Sequence, residues 1–472
     1  MKQSKAAKDW DLVIIGSGSA AFAAAIEAKS YGAQVLMIEE KKIGGTCVNV
    51  GCIPSKALLS VSNFFSKLNK NSFDEITITK GSLNSHQLKG NKDKIVKALK
   101  EKKYLNVAQA YGFEILQGTA SFKNSETLSV NGKELVAQNY LIATGATAVV
   151  PSIKGIDTVK YLTYETALEL EDIPESIAII GGNAIGLEFA QHFANLGSKV
   201  YLIEALNRIA PFEEPEISQA LTSNLNLRSV EVITNARILE IKKSQKDAIK
   251  VITIVNGKER EVIASKLLIA TGRRPNTERL NLFNTAVKVG SKNEVVSDEF
   301  QRTTQQNIWA AGDVTGSFQY VYVAAAQGRV AANNAITGSF ETLEYKAVPR
   351  VIFTSPPIGS VGLTEEKAKQ MGFDPVAKIL NFADVARAVV NRDDVGFIKM
   401  VAERQTGQIL GLHIFGNSAE EILQAGVYII QSGFTIEQLA SSWSVYLSYS
   451  EALKLVAQSF EKDVSMMSCC AG

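Results

Sequence analysis

The chain has 472 residues, more than one ordinary hydrophobic core can serve, so several domains are expected. With 46% hydrophobic residues, 21% charged residues and a formal net charge of +2, the composition is that of a soluble globular protein. It gives no global attraction for nucleic acid or an anionic membrane surface. No stretch reaches the roughly 18 apolar residues of a transmembrane helix. The N-terminal apolar run from Leu12 to Ile15 is broken by Gly16 and Gly18 and carries no small-residue cleavage site. A cytoplasmic location is therefore the expectation.

The first segment reads as strand, glycine turn, helix and strand. Residues 11–15 are a short apolar run rich in β-branched side chains. The loop with Gly16, Gly18 and Ala21 follows, then an Ala-rich helix over 23–29 and a strand over 34–38 ending at Glu39. This is the βαβ dinucleotide fingerprint with alanine in the third small position. The glycines let the backbone approach a pyrophosphate at a helix N-terminus, and the acid about 20 residues on accepts ribose hydroxyls. The pattern recurs as a strand over 176–180, Gly-Gly-Asn-Ala-Ile-Gly over 181–186 (Gly181, Asn183, Gly186), a helix to 196, and a strand over 199–203 ending at Glu204. Two such units predict two dinucleotides. Between them, residues 61–103 are Lys- and Asn-rich, which predicts surface helices and loops. Apolar strands over 140–145 and 267–272 both close on Ala-Thr-Gly, one after each fingerprint, and a third over 308–313 ends at Gly312 and Asp313. After about residue 346 the pattern changes. Alternating runs over 396–401 and 409–414 predict antiparallel strands, mixed with amphipathic helices over 420–431 and 450–460, hence a separate α+β domain.

The four cysteines fall in two tight pairs, Cys47 with Cys52 and Cys469 with Cys470. In a chain neither small nor cysteine-dense, such pairs point to redox chemistry or metal binding rather than a disulfide scaffold. The stretch 44–56, Gly-Gly-Thr-Cys-Val-Asn-Val-Gly-Cys-Ile-Pro-Ser-Lys, sits just after the first acid. A helix N-terminus and Lys56 would both lower a thiol pKa there.

With the two fingerprints, both Ala-Thr-Gly strands and the Gly-Asp pair, this motif resembles the flavoprotein disulfide reductases over essentially the whole chain. The resemblance implies an α/β fold with two Rossmann-like dinucleotide-binding domains, glutathione-reductase-like, and a C-terminal α+β dimerisation domain. It implies an FAD-binding domain over 1–150 and 276–345, an NAD(P)-binding domain over 151–275, and a dimerisation domain with a vicinal-cysteine tail over 346–472. In that family the first cysteine exchanges with substrate and the second faces the flavin as a thiolate. Those roles carry to Cys47 and Cys52. The family's lysine–glutamate pair matches Lys56 and Glu188, and the aspartate at the ribityl chain matches Asp313. Positions implied for cofactor binding are Gly16, Gly18, Ala21, Glu39, Gly45, Thr46, Lys56, Ala120, Thr144, Gly145, Asp313 and Val321 on the flavin side. On the nicotinamide side they are Gly181, Gly186, Glu204 and Gly272.

The dithiol-specific members also use a histidine near the C-terminus as general acid–base. Here the matching stretch, 445–451, keeps Glu451 and has no histidine, and His86, His192 and His413 all lie elsewhere. The ending Ser-Cys-Cys-Ala-Gly resembles the branch of the family that reduces Hg(II). There the tail of one subunit serves the active site of its partner in a homodimer, and soft thiolates pass a thiophilic ion between cysteine pairs. That implies Cys47, Cys52, Cys469 and Cys470 as metal ligands, and Tyr446 and Tyr104 as tyrosines near the metal. Trp443 and Ser444 replace a usual Phe-Pro. The small Cys-x-x-Cys domains common ahead of that branch have no counterpart before the first strand, so metal is expected to reach the tail directly or from a separate donor. Glu204 favours NADH over NADPH, with Arg208 a possible partial compensation. Two alternatives stay open: a dihydrolipoamide-dehydrogenase-like dithiol enzyme, and a thiophilic-metal-binding flavoprotein without turnover.

Overall fold

Two parallel sheets carry the two glycine loops. In the computed structural model, which describes residues 10–69, 72–77 and 81–463, the first sheet has seven strands. Its parallel part runs Glu114–Gln117, Val35–Glu39, Trp10–Ile15, Lys133–Ile142, with Ile308–Ala310 paired to Lys133–Ile142. An antiparallel extension through Thr127–Val130 and Ala120–Phe122 completes it. All five residues of Val35–Glu39 are buried, because helices and loops cover both faces of a parallel sheet and its strands become continuous apolar runs. The Ala-rich helix Ser19–Ser30 packs on the helix Val321–Thr337. A Cβ on Gly328 would lie 2.0 Å from the carbonyl oxygen of Ala20, so only glycine permits this approach.

The second parallel sheet is ordered Val230–Ile233, Lys199–Ile203, Ser176–Ile180, Lys266–Ile269. Beside it stands the antiparallel meander Ala236–Lys243, Ile249–Val255, Lys258–Ala264. A two-stranded ribbon of Ala146–Ala148 with Arg273–Pro275 ties the two units together directly after their Ala-Thr-Gly turns. The C-terminal unit is a five-stranded antiparallel sheet, ordered Arg350–Ile352, Ile358–Gly362, Ile409–Gly416, Gly396–Glu403, Pro375–Asn381. Helices Ala419–Ser432 and Glu451–Gln458 pack their buried apolar residues into its core.

The fold class is the one the sequence predicts. The segment over 61–103 departs from a purely solvated reading. It forms parts of the helices Cys52–Asn69 and Ser85–Lys100 and the π-helical turn Glu101–Leu105. Within it Lys92 is buried, because its ammonium donates to the carbonyl of Leu168 at 2.9 Å and pairs with Asp93 and Glu169. Among the described residues no helix is long and apolar enough to cross a membrane.

Candidate active site: a dithiol beside two dinucleotide loops

The two glycine loops are built alike. Gly16 and Gly181 each have φ of +111°, and a Cβ on either would stand 2.3 Å from a carbonyl oxygen, Ala143 in one unit and Ala270 in the other. Each loop leads into a twelve-residue helix, Ser19–Ser30 or Ala184–Asn195, whose first N–H groups have no intrahelical acceptor. Ala21 is fully buried at the third small position of the first loop. Gly186 holds that position in the second, where a Cβ would lie 1.8 Å from the oxygen of Gly181. The acids behave alike too. Glu39 accepts from Ser17 Oγ at 2.5 Å and from the amide of Lys41 at 2.6 Å. Glu204 accepts from the amides of Gly182 at 2.6 Å and Leu206 at 2.8 Å. Both carboxylates are thus fixed at the rim of a glycine loop and helix N-terminus, an arrangement that fits a dinucleotide with its pyrophosphate at the helix and its ribose at the acid. Ala120 is buried close by, two residues beyond Gly118, whose amide donates to the carbonyl of Glu39 at 2.9 Å. Thr144 Oγ1 donates to Asn276 O at 2.7 Å, placing Thr144 and Gly145 at the ribbon. Gly272 accepts at its carbonyl from the amide of Val149, 3.0 Å away, on the side of the ribbon that carries the second glycine loop.

The cysteine segment is stitched to the first loop. The amide of Gly44 donates to both the carbonyl and the hydroxyl of Ser17 at 3.1 Å, and a Cβ on Gly45 would stand 2.6 Å from the Cα of Gly18. Gly45 and Thr46 open the helix Gly45–Val50, which carries Cys47. Gly51 breaks it, and Cys52 is the first residue of the helix Cys52–Asn69. Both sulfurs are half-buried and unbridged.

The two thiols are electrostatically unequal. The S–H of Cys47 donates to the sulfur of Cys52, and this, with the positive charge of Lys56, holds the Cys52 thiol down at about 6 against the opposing effects of burial and Glu188. The same hydrogen bond, then burial, pushes the Cys47 thiol far above its ordinary range. At neutral pH the pair therefore holds one negative charge on Cys52 and one shared proton. Lys56 Nζ pairs with Glu188 Oε2 at 2.7 Å and lies 4.7 Å above the ring of Phe353. The other carboxylate oxygen of Glu188 accepts from the amide of Phe353 at 3.0 Å. Lys56 is thus tied to the nicotinamide-side helix and to the C-terminal sheet while its charge acts on Cys52. Thiolate absorbance near 240 nm in the reduced protein should titrate with a midpoint near 6, the thiolate being lost as pH falls through it. Lys56→Met should move that midpoint upward. A midpoint unchanged by Lys56→Met would mean that the lysine does not support the thiolate.

Cys47, Cys52, Lys56, Glu188 and Tyr104 come together. Tyr104, on the π-helical turn Glu101–Leu105, packs edge-on against Phe22 at 4.8 Å and lies along Gly44, and burial followed by the charge of Cys47 raises its hydroxyl pKa. Tyr446 belongs to the C-terminal unit, in the exposed segment with Trp443 and Val445. Cys469 and Cys470 lie outside the described residues. Asp313 opens the turn Asp313–Thr315, three residues beyond the strand Ile308–Ala310, and pairs with Arg273 Nη1 at 2.6 Å, and Val321 is the first residue of the helix Val321–Thr337. Glu451 opens its helix buried, with its carboxyl pushed above the usual range by that burial. His86 is exposed on the helix Ser85–Lys100, His192 is driven down to about 4 by complete burial, and His413 lies inside its strand 3.0 Å from Leu363 O. None of the three is among the groups that act on either thiol. Arg208 is committed differently from the sequence reading. Its guanidinium donates to the carbonyls of Glu213 at 2.6 Å and Pro211 at 2.8 Å, and so is spent on its own turn.

Sequence reasoning missed Ser17, Phe353 and Arg273. Ser17 occupies a variable position of the first loop, and Phe353 acts through its backbone amide, which no side-chain pattern reveals. Arg273 follows Gly272 directly, and an arginine after the second Ala-Thr-Gly was the available signal.

Comparison with known proteins bears on this geometry. The chain matches the family described as pyridine nucleotide-disulphide oxidoreductase over residues 10–328, and its dimerisation domain over 348–457. It is similar to the mercuric reductase of Streptomyces lividans, 45% identical over 469 residues, covering 98% of each chain. It is also similar to the mercuric reductase of Staphylococcus aureus, 42% identical over 464 residues, covering 98% of this chain and 85% of that one. Among solved structures it is similar to the HOCl-induced flavoprotein disulfide reductase RclA from Escherichia coli. The TM-score is 0.85 at 30% identity, covering 96% of this chain and all of that one.

Proposed function

The chain belongs to the pyridine nucleotide-disulphide oxidoreductase family, and on that premise we propose that it reduces Hg(II) to elemental mercury with NADH, through FAD and the Cys47–Cys52 dithiol. The observation that carries this reading is a thiol pair holding one stabilised thiolate, on which none of His86, His192 and His413 acts among the described residues. A reductase of organic disulfides must protonate a leaving thiol and wants such a base. A soft metal ion asks only for thiolates.

Bound FAD supplies two-electron storage between nicotinamide and metal. The rest is the protein's part. Glu39 and Glu204 accept ribose hydroxyls, and the N-termini of Ser19–Ser30 and Ala184–Asn195 take the pyrophosphates. Cys52 meets Hg(II) as a ready thiolate. Cys47 becomes the second ligand by giving up the shared proton, and Lys56 offsets the negative charge that the pair then carries. When the metal takes two electrons, both Hg–S bonds break and each sulfur keeps its bonding pair. Hg(0) binds thiolates poorly and leaves. The balance is NADH and Hg(II) giving NAD⁺, H⁺ and Hg(0). Glu204 supports NADH, because an acid ending the second strand of the fingerprint would repel a 2′-phosphate and Arg208 is engaged with backbone carbonyls.

We divide the work as 1–150 and 276–345 for FAD, 151–275 for nicotinamide, and 346–472 for subunit contact. The C-terminal unit pairs two copies. Trp443 is fully exposed and Val445 is 73% exposed, apolar surface that a second subunit would cover. In the dimer the tail pair Cys469 and Cys470 of one subunit hands Hg(II) to the dithiol of the other, with Tyr446 and Tyr104 lining the transfer. A reducing cytoplasm suits the free thiols.

The test follows NADH oxidation with Hg(II) supplied as a thiol complex, alongside lipoamide and glutathione disulfide. Expected are Hg(II)-dependent oxidation, volatile mercury, and a rate at least tenfold lower in Cys469→Ala/Cys470→Ala, about 1.4 kcal/mol in the barrier. Turnover of an organic disulfide, with Hg(II) acting only as an inhibitor, would sink the assignment.

A further inference from the structure

Arg273 opens the ribbon strand Arg273–Pro275, which crosses from the nicotinamide unit to the flavin unit. Its guanidinium bridges two acceptors, Asp313 Oδ2 at 2.6 Å through Nη1 and the carbonyl of Ala146 at 3.0 Å through Nη2. Both charged side chains are mostly buried, at 15% and 16% exposure. The Arg273 Cζ lies 6.0 Å from the ring centroid of Tyr164. The Tyr164 hydroxyl is buried beside Arg273, and the two side chains hydrogen-bond to each other, so Tyr164 supports the guanidinium charge together with Asp313. On the other side, the amide of Gly312 donates to Gln327 Oε1 at 2.8 Å, so the backbone leading into Asp313 is held as well.

We propose that Arg273 is a positioning residue for FAD. It engages one oxygen of Asp313 and turns the other toward the ribityl chain, with the ring of Tyr164 beneath the guanidinium. Only the planar fork of arginine serves Asp313 and Ala146 together, and a lysine point charge reaches one of them. The proposal rests on the flavin that the family binds and is independent of the metal substrate.

Release of FAD from diluted holoenzyme, followed by flavin fluorescence without Hg(II), tests it. Arg273→Gln should weaken FAD binding by about tenfold or more. Arg273→Lys should lose severalfold and so fall between the two, which keeps the test usable if the glutamine variant does not fold. Combining Arg273→Gln with Asp313→Asn should weaken binding no further than Asp313→Asn alone, because both remove the same contact. A purely architectural arginine would lower the melting temperature of the apoprotein and leave FAD affinity unchanged. Unchanged affinity, or losses that multiply in the double variant, would overturn the proposal.

Discussion

Cys52→Ser is expected to eliminate Hg(II)-dependent nicotinamide oxidation, with a fall in kcat of at least about a thousandfold, some 4 kcal/mol in the barrier. The size follows from what the sulfur does. At neutral pH Cys52 carries the only negative charge of the pair, sustained by the Cys47 hydrogen bond and Lys56. A serine hydroxyl there is neither ionised nor soft, so Hg(II) loses one of its two ligands and the path by which electrons reach it. Cys47→Ser should be nearly as damaging and should differ in one respect. Its hydroxyl can still donate to the Cys52 thiolate, whereas Cys47→Ala removes the donor and should move the Cys52 titration upward from about 6. Serine at either position changes little volume, so both variants should retain FAD, and the flavin absorbance of the purified protein checks this. Either variant keeping a tenth of the parent rate would show that the dithiol is not the route to the metal.

Glu204→Gln is expected to collapse a preference for NADH over NADPH. In the parent, the Glu204 carboxylate is fixed by the amides of Gly182 and Leu206, and the proposed reading sets it against the adenosine ribose. A 2′-phosphate placed against that charge costs on the order of 2–3 kcal/mol, or about a hundredfold in kcat/KM between the two cofactors. Glutamine preserves one acceptor oxygen and removes the charge, so the ratio should fall to within about tenfold, chiefly through KM for NADPH. Glu39→Gln, the same change in the other unit, should weaken FAD and leave the nicotinamide ratio alone, because the two acids serve different loops. Equal use of both nicotinamides by the parent protein would remove Glu204 as the determinant.

The contrast between Glu204 and Arg208 shows where sequence reading stops. Both lie within five residues of each other, and both were legible as candidates. The role proposed for Glu204 follows from its place at the end of a strand in a fingerprint, where chain geometry leaves little choice. Arg208 has a long side chain with several possible acceptors, and only the turned backbone of Pro211 and Glu213 decides which it takes. Lys92 makes the same point within a helix that reads as solvated. The carbonyl that buries it belongs to Leu168, 76 residues away.

What the sequence by itself determined is a set of short-range patterns. The duplicated fingerprints, the acids that end them, the spacing of Cys47 and Cys52, and the change to antiparallel strands near 346 are short-range patterns imposed by backbone geometry. The pairing of Lys56 with Glu188, 132 residues apart, was reachable only through likeness to a family. Three things were decided by the tertiary structure alone. They are the unequal charge of the two thiols, the anchoring of Glu188 by the amide of Phe353, and the bridge from Arg273 to Asp313. The first depends on the hydrogen bond and burial that the folded 44–56 segment gives its two sulfurs, the other two on packing between units, and electrostatic interactions depend steeply on distance and burial.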